Sequence, residues 1–443
     1  MSCYAPLWFK QDTKRFPRAT TKDGKPLEIA SAFSDNVLQA DLRAFTALMQ
    51  HLADTDKGTG TVSMMQIENE IGMLEAARDH SPLAEKAFDT AIPATLCKLW
   101  GIKKNTTWRN AGFDETPQKQ EQFMAYFYAK YVEVLARRAR EIYDMPLYVN
   151  AAMNSRGRQP GQYPSAGPLA HLVDVWQCGA PSIDLLAPDI YDTGFKSWAS
   201  RYAMPQRPQD GGKVKNRLFI PESRCCENSG ARAMYAFGEH QALGFSPFAI
   251  DQAAPRETES VTKAYSVLRQ LYALTARRPP LTSYGLLFDQ EDKERLISDD
   301  GMTVTCRHYF TLPWDPRATD GSVWPEGGAM LVRLAKNEYL LAGTGVVVSF
   351  ATDYEKAREE QKVLGEDGFV ESGSPQAARH SPLADRLFKG PRKGIGYVDE
   401  VTIDGDGQMK YVRRHNGDQD HQGRHVRISC GEWKILHIRL YDY

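Results

Sequence analysis

Two short apolar segments of the sequence each end in glutamate. The first runs from Gln66 to Gly72 and reads Gln-Ile-Glu-Asn-Glu-Ile-Gly, which places two carboxylates and an amide at the end of a strand-like run. The second segment is Phe219-Ile-Pro-Glu222. A buried charge without a partner is costly, so carboxylates in such positions either face a wet cleft or take part in chemistry. A solvated strand end explains an isolated Glu-x-Glu more simply, but a second segment of the same kind favours chemistry.

The chemistry that suits this pair is hydrolysis of a glycosidic bond. If both strands belong to one parallel barrel, their ends meet at the face where barrel enzymes hold their active sites. One carboxylate then acts as nucleophile and the other first as acid and then as base, with retention of configuration at a separation of about 5–5.5 Å. The environment must separate the two pKa values so that the acid is protonated while the nucleophile is ionised.

The elements that must position these glutamates alternate between helix and strand up to about residue 280. Helical periodicity or caps predict helices over residues 35–54, 116–143, 229–243 and 258–276. Five apolar runs between or beside them, at residues 61–67, 146–150, 183–191, 217–222 and 245–250, are typical of strands. This alternation favours parallel βαβ units and predicts an α/β fold of the (β/α)8 TIM-barrel type over residues 1–280.

Beyond Arg278-Pro279-Pro280 the pattern changes to short β-rich runs separated by turn signals such as Asp404-Gly-Asp-Gly407. Nine such runs lie between residues 286 and 441. They predict a separate antiparallel β-sandwich domain over residues 281–443.

Composition excludes several classes of function. Lys and Arg number 55 against 56 Asp and Glu, a net charge of −1 that lacks the basic footprint of a nucleic-acid-binding protein. The longest apolar runs, such as residues 346–350, are far shorter than the ~20 residues of a membrane-spanning helix. Seven cysteines in 443 residues do not form a disulfide scaffold. We therefore expect no nucleic-acid or membrane partner.

The glutamate segments closely resemble a known family. Gln66 to Gly72 resembles the fourth-strand motif of the family 35 β-galactosidases, and Ile220-Pro-Glu222 resembles the seventh-strand nucleophile segment of the same family. The resemblance implies that Glu70 is the acid/base and Glu222 the nucleophile, with no metal or organic cofactor. It also implies substrate-binding roles for three further residues: Asn69 next to the sugar 2-hydroxyl, Glu68, and Tyr191, an aromatic that lines the site and orients the nucleophile.

The likeness extends along essentially the whole chain. The phrases Met1 to Pro6 and Asp12 to Pro17 resemble a bacterial subgroup with an appended C-terminal β domain. In the family, three βα units precede the Asn-Glu motif, whereas only 60 residues stand before Thr61 here. We therefore expect strands 4 to 8 of a barrel without strands 1 to 3, in an N-terminally truncated chain. The resemblance implies a periplasmic or secreted enzyme, although the chain shows no signal peptide.

Other candidate sites are weaker. Cys225 and Cys226 lack metal or redox spacing, which favours pocket lining or packing. A histidine-containing loop and the Asp404-Gly-Asp-Gly407 turn could bind a metal, but a solvated loop explains the histidines better and the turn lacks a closing glutamate. Three tryptophans could form sugar-stacking platforms or belong to the core. The histidines are His415, His421 and His425, and the tryptophans are Trp108, Trp176 and Trp198.

The sequence thus predicts a retaining glycoside hydrolase that acts on terminal β-galactosides in plant-polysaccharide or oligosaccharide side chains, with a carbohydrate as its partner. Two alternatives remain open. One is another glycosidase of the same clan, a mannanase or glucosidase, because the two-glutamate chemistry is shared and the pocket wall selects the sugar. The other is a catalytically inactive carbohydrate-binding protein.

Overall fold

The computed structural model describes residues 4–204, 216–359 and 390–443, so Met1 to Cys3 of the opening phrase lie outside the described residues. The chain divides into two compact units. The first comprises Met1–Arg224 and Ala242–Phe248, and the second comprises Cys225–Gln241 and Ala249–Tyr443. The change of sequence pattern near residue 280 is therefore not the point at which the compact units divide.

The first unit contains seven strands and seven α-helices among its described residues. The strands are β1 (Arg18–Thr20), β2 (Pro26–Ala30), β3 (Met65–Gln66), β4 (Leu147–Ala151), β5 (Leu185–Ile190), β6 (Ile220–Ser223) and β7 (Phe245–Pro247). The helices are α1 (Leu7–Gln11), α2 (Asp35–Thr55), α3 (Pro82–Phe88), α4 (Ala94–Trp100), α5 (Pro117–Ile142), α6 (Val173–Gly179) and α7 (Phe195–Tyr202). Strands β1 and β2 form a separate antiparallel pair.

Strands β3 to β7 form one parallel sheet, ordered β3-β4-β5-β6-β7. Because the spatial order follows the chain order, each crossover proceeds in the same direction, and right-handed crossovers then place the connections on one face. This winding is that of a barrel, whereas a doubly wound sheet reverses its order. The five parallel strands confirm the predicted α/β class as a half-barrel, in which β3 and β7 are the edges among the described residues.

The core of the first unit lies between this sheet and its helices. Helix α5 begins as the sequence predicts, with Thr116 as N-cap accepting a hydrogen bond from the Lys119 backbone N–H and Pro117 in the first turn. Strand β5 is buried at every position, so it has no solvent-exposed face. Trp108, Trp176 and Trp198, for which the sequence left sugar stacking and core packing open, are 0%, 0% and 6% exposed and therefore belong to the core.

The second unit combines antiparallel sheets with helices. Its helices are α8 (Ser229–His240), α9 (Pro255–Thr275) and α10 (Asp353–Glu359). Its strands are β8 (Thr282–Phe288), β9 (Glu294–Asp299), β10 (Met302–His308), β11 (Gly327–Ala335), β12 (Glu338–Thr344), β13 (Val346–Thr352), β14 (Lys393–Ile403), β15 (Met409–Arg414), β16 (Val426–Ile428) and β17 (Lys434–Asp442). They form a four-stranded sheet, β16-β13-β10-β9, and a six-stranded sheet, β15-β14-β17-β12-β11-β8.

The six-stranded sheet is covered on both faces. One face packs against the four-stranded sheet, where Leu331 and Leu341 meet Val304 and Val348 in one apolar cluster, as in a β-sandwich. On the other face, Val332 and other residues of the sheet pack against α8 and α9. Strand β12 is consequently buried at every position. Within the part of the chain that the structure describes, no helix combines the length and apolar character needed to cross a membrane.

Candidate active site

The chain turns sharply at the end of β3. Ile67 is fully buried and its N–H donates to the Tyr148 carbonyl of β4 at 2.9 Å, which continues the ladder by one residue. Glu68 and Glu70 then adopt φ values of 58° and 48°, in the left-handed region that non-glycine residues rarely occupy. Such conformations persist where neighbouring groups hold them, and they concentrate at functional sites.

Asn150 in β4 holds this turn in place. Its side chain is fully buried, and its Oδ1 accepts a hydrogen bond from the Glu70 backbone N–H at 2.9 Å. Its Nδ2 donates to Asn69 Oδ1 at 3.1 Å and to Asp189 Oδ2 at 2.7 Å. One amide therefore links the tip of β3 to β5, and it fixes the backbone of Glu70 and the side chains of two further residues.

Asp189 and Glu222 lie side by side on neighbouring strands. They are register partners in the parallel pairing of β5 with β6. Glu222 is half-buried and accepts a hydrogen bond from the Tyr191 hydroxyl at 2.8 Å through Oε2. Tyr191 is 39% exposed and its ring makes an edge-on contact with Phe248, which is 57% exposed. An open aromatic wall therefore stands beside the Glu222 carboxylate.

The carboxyl groups of Glu70, Asp189 and Glu222 meet at the carboxyl end of the parallel sheet. One oxygen atom from each lies within 4.8 Å of the others. Burial raises the pKa of Glu70, and the charge of Glu222 adds to this effect, although a hydrogen bond from Asp189 opposes it. Burial and the charge of Glu222 raise the pKa of Asp189 to about 9. The site thus combines one buried carboxyl group of strongly raised pKa, that of Asp189, with the half-buried carboxyl groups of Glu70 and Glu222.

Glu68 points elsewhere. Its carboxyl group is paired with Asp41 of α2, which in turn accepts a hydrogen bond from the Tyr131 hydroxyl at 2.8 Å. Burial, followed by the hydrogen bond and the charge of Asp41, raises the pKa of Glu68 well above its ordinary value. The structure therefore brings Glu70, Asn69, Tyr191 and Glu222 into one network, whereas the substrate contact expected of Glu68 stays a prediction.

Sequence reasoning missed Asn150 and Asp189. Both interrupt otherwise apolar strands, Leu147-Tyr-Val-Asn-Ala151 and Leu185-Leu-Ala-Pro-Asp-Ile190. A single polar residue near the carboxyl end of an otherwise apolar strand, one that does not alternate between apolar and polar residues, is the sequence signal that could have found them. Their exposed fractions of 0% and 2% show that neither is a solvated strand end.

Glu70, Asp189 and Glu222 are also close enough to share one cation. No comparable group in the described ranges includes a histidine or cysteine, so the metal interpretation of His415, His421 and His425 gains no support. His421 and His425 instead stack on each other, with ring centroids 5.1 Å apart. Cys225 and Cys226 are half-buried free thiols of the second unit.

Comparisons with known proteins add little about function. Residues 261–427 match the model of a domain of unknown function, DUF5597. No curated protein matches the chain. Among solved structures, the chain is similar to the crystal structure of a β-galactosidase from the psychrophilic Marinomonas ef1, at 15% identity and a TM-score of 0.40. That match covers 60% of this chain and 48% of the other, so the chain spans about half the length of that protein.

Proposed function

We propose that the chain is a retaining glycoside hydrolase whose catalytic groups are Glu70 and Glu222. The observation that carries this proposal is the approach of their carboxylate oxygens to within 4.8 Å at the carboxyl end of a parallel sheet. Retaining glycosidases need two carboxyl groups about 5–5.5 Å apart, whereas inverting enzymes need a wider gap to admit water. The short separation therefore supports a double displacement.

In the first step, Glu222 attacks the anomeric carbon and a covalent glycosyl-enzyme forms. The glycosidic bond breaks as Glu70 transfers its proton to the departing oxygen, so the leaving group is released as an alcohol. The raised pKa of Glu70 suits this role, because the acid must hold a proton at the working pH. The Tyr191 hydroxyl, 2.8 Å from Glu222 Oε2, holds the nucleophile in one orientation.

In the second step, water replaces the leaving group. The Glu70 carboxylate removes a proton from the water, the water oxygen attacks the anomeric carbon, and the bond to Glu222 breaks with return of the carboxylate. Glu70 is then protonated again, and the cycle needs no metal or organic cofactor. Two inversions at the same carbon leave the product with the configuration of the substrate.

The choice of a terminal β-galactoside rests on the resemblance of Gln66 to Gly72 and Ile220 to Glu222 to the family 35 motifs. Asn69 is exposed at the mouth of the network and its Oδ1 is held by Gln66 and Asn150 at 2.9 and 3.1 Å. That placement suits the proposed contact with the sugar 2-hydroxyl. Mannoside or glucoside hydrolysis is the alternative, since the catalytic pair would be the same.

A panel of nitrophenyl glycosides tests the proposal. We expect the wild type to hydrolyse the β-galactoside, with activity abolished in Glu222→Gln and strongly reduced in Glu70→Gln. Glu75→Gln, a nearby change at an exposed residue paired with Lys25 at the surface, is the matched control. Activity on mannosides or glucosides alone would assign a different sugar as the substrate. Sugar binding without turnover would indicate an inactive binding protein. Undiminished activity in Glu222→Gln would exclude the mechanism.

Rescue with azide separates the two roles. Glu222→Ala leaves space for azide to attack the anomeric carbon of the intact β-galactoside, which yields the α-glycosyl azide. Glu70→Ala still forms the glycosyl-enzyme from a substrate with a good leaving group, and azide then yields the β-glycosyl azide. Proton NMR of the two products identifies the anomer. The opposite assignment of products would exchange the roles of the two glutamates.

A further inference from the structure

The double displacement uses two carboxyl groups, yet the site contains three. Asp189 is 2% exposed and lies in a strand that is buried at every position. An ionised carboxylate in such a position is costly unless it is paired with a cation or fully hydrogen-bonded. Its Oδ2 accepts a hydrogen bond from Asn150 at 2.7 Å, whereas its Oδ1 is buried and has no hydrogen-bond partner among the residues that the structure describes. Asp189 therefore lacks the partners that an ionised form would need.

A second carboxyl group, that of Glu70, shares a side-chain hydrogen bond with Asp189. Ionised carboxylates only accept hydrogen bonds, so a bond between two carboxyl groups requires a proton on one of them. Asp189 is the more deeply buried of the two, since Glu70 is half-buried. A proton on Asp189 Oδ1 satisfies that atom and leaves the Glu70 carboxyl group free to exchange its own proton at the open side.

The other titratable groups that influence Asp189, or are influenced by its charge, are the carboxyl group of Glu222 and three tyrosines. Glu222 on β6 is a register partner and acts on Asp189 through its negative charge. Three tyrosines, Tyr148, Tyr191 and Tyr202, are influenced by the charge of Asp189, and each has a raised pKa. The tyrosines are neutral at neutral pH and supply no positive charge, whereas the negative charge of Glu222 disfavours a second negative charge on Asp189.

We propose that Asp189 is a positioning residue that remains protonated and donates a hydrogen bond from Oδ1 to the Glu70 carboxyl group. This inference rests on the proposed function and deepens it. When Glu70 has given its proton to the leaving group, its carboxylate accepts the Asp189 hydrogen bond and is held towards the incoming water. Asp189 keeps its proton throughout, so the proton that Glu70 later takes comes from water alone. Asn150 holds both residues, through the Glu70 backbone N–H and Asp189 Oδ2.

Two substitutions at Asp189 test the proposal through activity. Asp189→Asn is neutral and keeps both hydrogen bonds, because its Oδ1 can accept from Asn150 while its Nδ2 donates to Glu70. Asp189→Ala removes both. We expect Asp189→Asn to keep kcat/KM within about 10-fold of the wild type and Asp189→Ala to lose about 100-fold, mainly in kcat. Equal losses in the two variants would overturn the proposal, because they would show that the negative charge is required.

The pH profile distinguishes positioning from a merely structural role. A hydrogen bond from Asp189 lowers the pKa of Glu70, so its removal lets that pKa rise further. The alkaline limb of kcat/KM, which follows loss of the Glu70 proton, should therefore move to higher pH in Asp189→Ala and much less in Asp189→Asn. An alkaline limb that does not move in Asp189→Ala would contradict the proposal, provided that circular dichroism shows the variant to be folded.

A measurement without substrate separates this inference from the proposed function. Infrared difference spectra of the wild type minus Asp189→Asn at neutral pH should show the C=O band of a protonated carboxylic acid. That band supports the proposal even if the chain hydrolyses none of the glycosides, a result that would exclude only the proposed function. Absence of the band would overturn the proposal. Calorimetric binding of Ca²⁺ or Mn²⁺ to the wild type, lost in Asp189→Asn, would also overturn it, because a cation would then neutralise the three carboxylates.

Discussion

Buried acids are neutralised differently in the scaffold of this protein and at its candidate active site. In the second unit, Glu338 accepts hydrogen bonds from Arg278, His437 and Arg439 at 2.7, 3.0 and 3.1 Å. Although burial acts in the opposite direction, the hydrogen bonds from Arg278 and His437 lower the pKa of Glu338 below its ordinary value. Arg295 has the same effect on the pKa of Glu239. These acids are ionised and fixed.

At the carboxyl end of the parallel sheet, the neighbours of the acids are different. Asp189 is hydrogen-bonded to the Asn150 amide and to Glu70, and Glu222 accepts a hydrogen bond from the Tyr191 hydroxyl. Burial is the largest influence on both Glu70 and Asp189, and their pKa values are raised instead of lowered. The contrast does not follow the division into units, because Glu85 of the first unit is paired with Arg78 and Arg109 and its pKa is lowered.

The neighbours of a buried carboxyl group decide whether it serves as a fixed charge in the fold or as a group that can transfer a proton. An arginine fixes the ionised state and removes the acid from proton exchange near neutral pH. Amide, hydroxyl and carboxyl neighbours leave the proton available, at a cost in desolvation that the rest of the fold must offset. Four predictions, in order of decreasing effect, test whether this distinction is real.

The largest effect is expected from Glu70→Gln and Glu222→Gln, which remove the proposed acid and the proposed nucleophile from the site. Glu222→Gln should abolish turnover of every substrate. Glu70→Gln should lower kcat/KM by about 10²–10⁴-fold for sugars with poor leaving groups and much less for dinitrophenyl glycosides, which need no acid to depart. Steady-state kinetics over a series of leaving groups measures this. A loss in Glu70→Gln that is independent of the leaving group would show that Glu70 is not the acid.

The next effect concerns a scaffold pair. Arg232 and Glu326 are 11% and 16% exposed at their side chains and form a two-point ion pair at 3.0 and 2.7 Å. Arg232→Met should lower the free energy of unfolding by about 3 kcal/mol, because it leaves a largely buried carboxylate without its cation. The double variant Arg232→Met/Glu326→Met should recover most of that loss. Urea denaturation followed by circular dichroism measures both. An unchanged free energy of unfolding in Arg232→Met would contradict the role of arginine in fixing the scaffold acids.

A smaller effect is expected at Tyr191, whose hydroxyl donates to the proposed nucleophile Glu222. Tyr191→Phe removes the hydrogen bond to Glu222 and keeps the ring that lines the site. A hydrogen bond to a charged group contributes about 1.5–3 kcal/mol, so kcat/KM should fall about 10- to 100-fold. Tyr272→Phe, at a tyrosine of the second unit that is 74% exposed, is the matched control and should be neutral. Equal behaviour of the two variants would remove Tyr191 from the site.

The smallest effect concerns the Glu68–Asp41 pair, in which Asp41 accepts a hydrogen bond from the Tyr131 hydroxyl. Because the pKa of Glu68 is raised on folding, its protonated form stabilises the protein at acidic pH and this contribution is lost as the pH rises through the folded-state pKa. Glu68→Gln keeps a neutral donor at every pH. It should therefore raise stability at neutral pH by on the order of 1 kcal/mol and have no such advantage at acidic pH.

Thermal unfolding from acidic to neutral pH measures the difference between Glu68→Gln and the wild type. Glu75→Gln is the control, since Glu75 is exposed and its surface ion pair with Lys25 contributes little. A difference that does not grow with pH would mean that Glu68 is ionised in the folded protein. In that case Glu68 would resemble the arginine-paired acids such as Glu338 and Glu85, which are ionised in the folded protein.

Much of the fold could be predicted from local pattern. The periodicity of residues 35–54 and the Thr116-Pro117 start correspond to α2 and α5, and the five apolar runs correspond to β3 to β7. Short or partly polar elements were missed, among them β1, β2, β9, α3 and α4. These have little periodicity of their own and are held by tertiary contacts. The buried Asp79 shows this, since its carboxylate binds the Thr20 backbone N–H and the Ser31 hydroxyl from distant parts of the chain.

By itself the sequence determined the residue types and the order of the elements. Glutamates at the ends of two apolar runs, and the alternation of strands with helices, follow from spacing that is local in the chain. The tertiary structure decided which carboxyl groups meet. It directs Glu68 to Asp41 and brings Asp189 between Glu70 and Glu222, because left-handed turns after β3 and the register of β5 with β6 are set by packing and by Asn150. Proton affinity depends on burial and on neighbours distant in sequence, so Glu70 and Glu222 could be located from the chain, whereas Asp189 and the charge states of the acids could not.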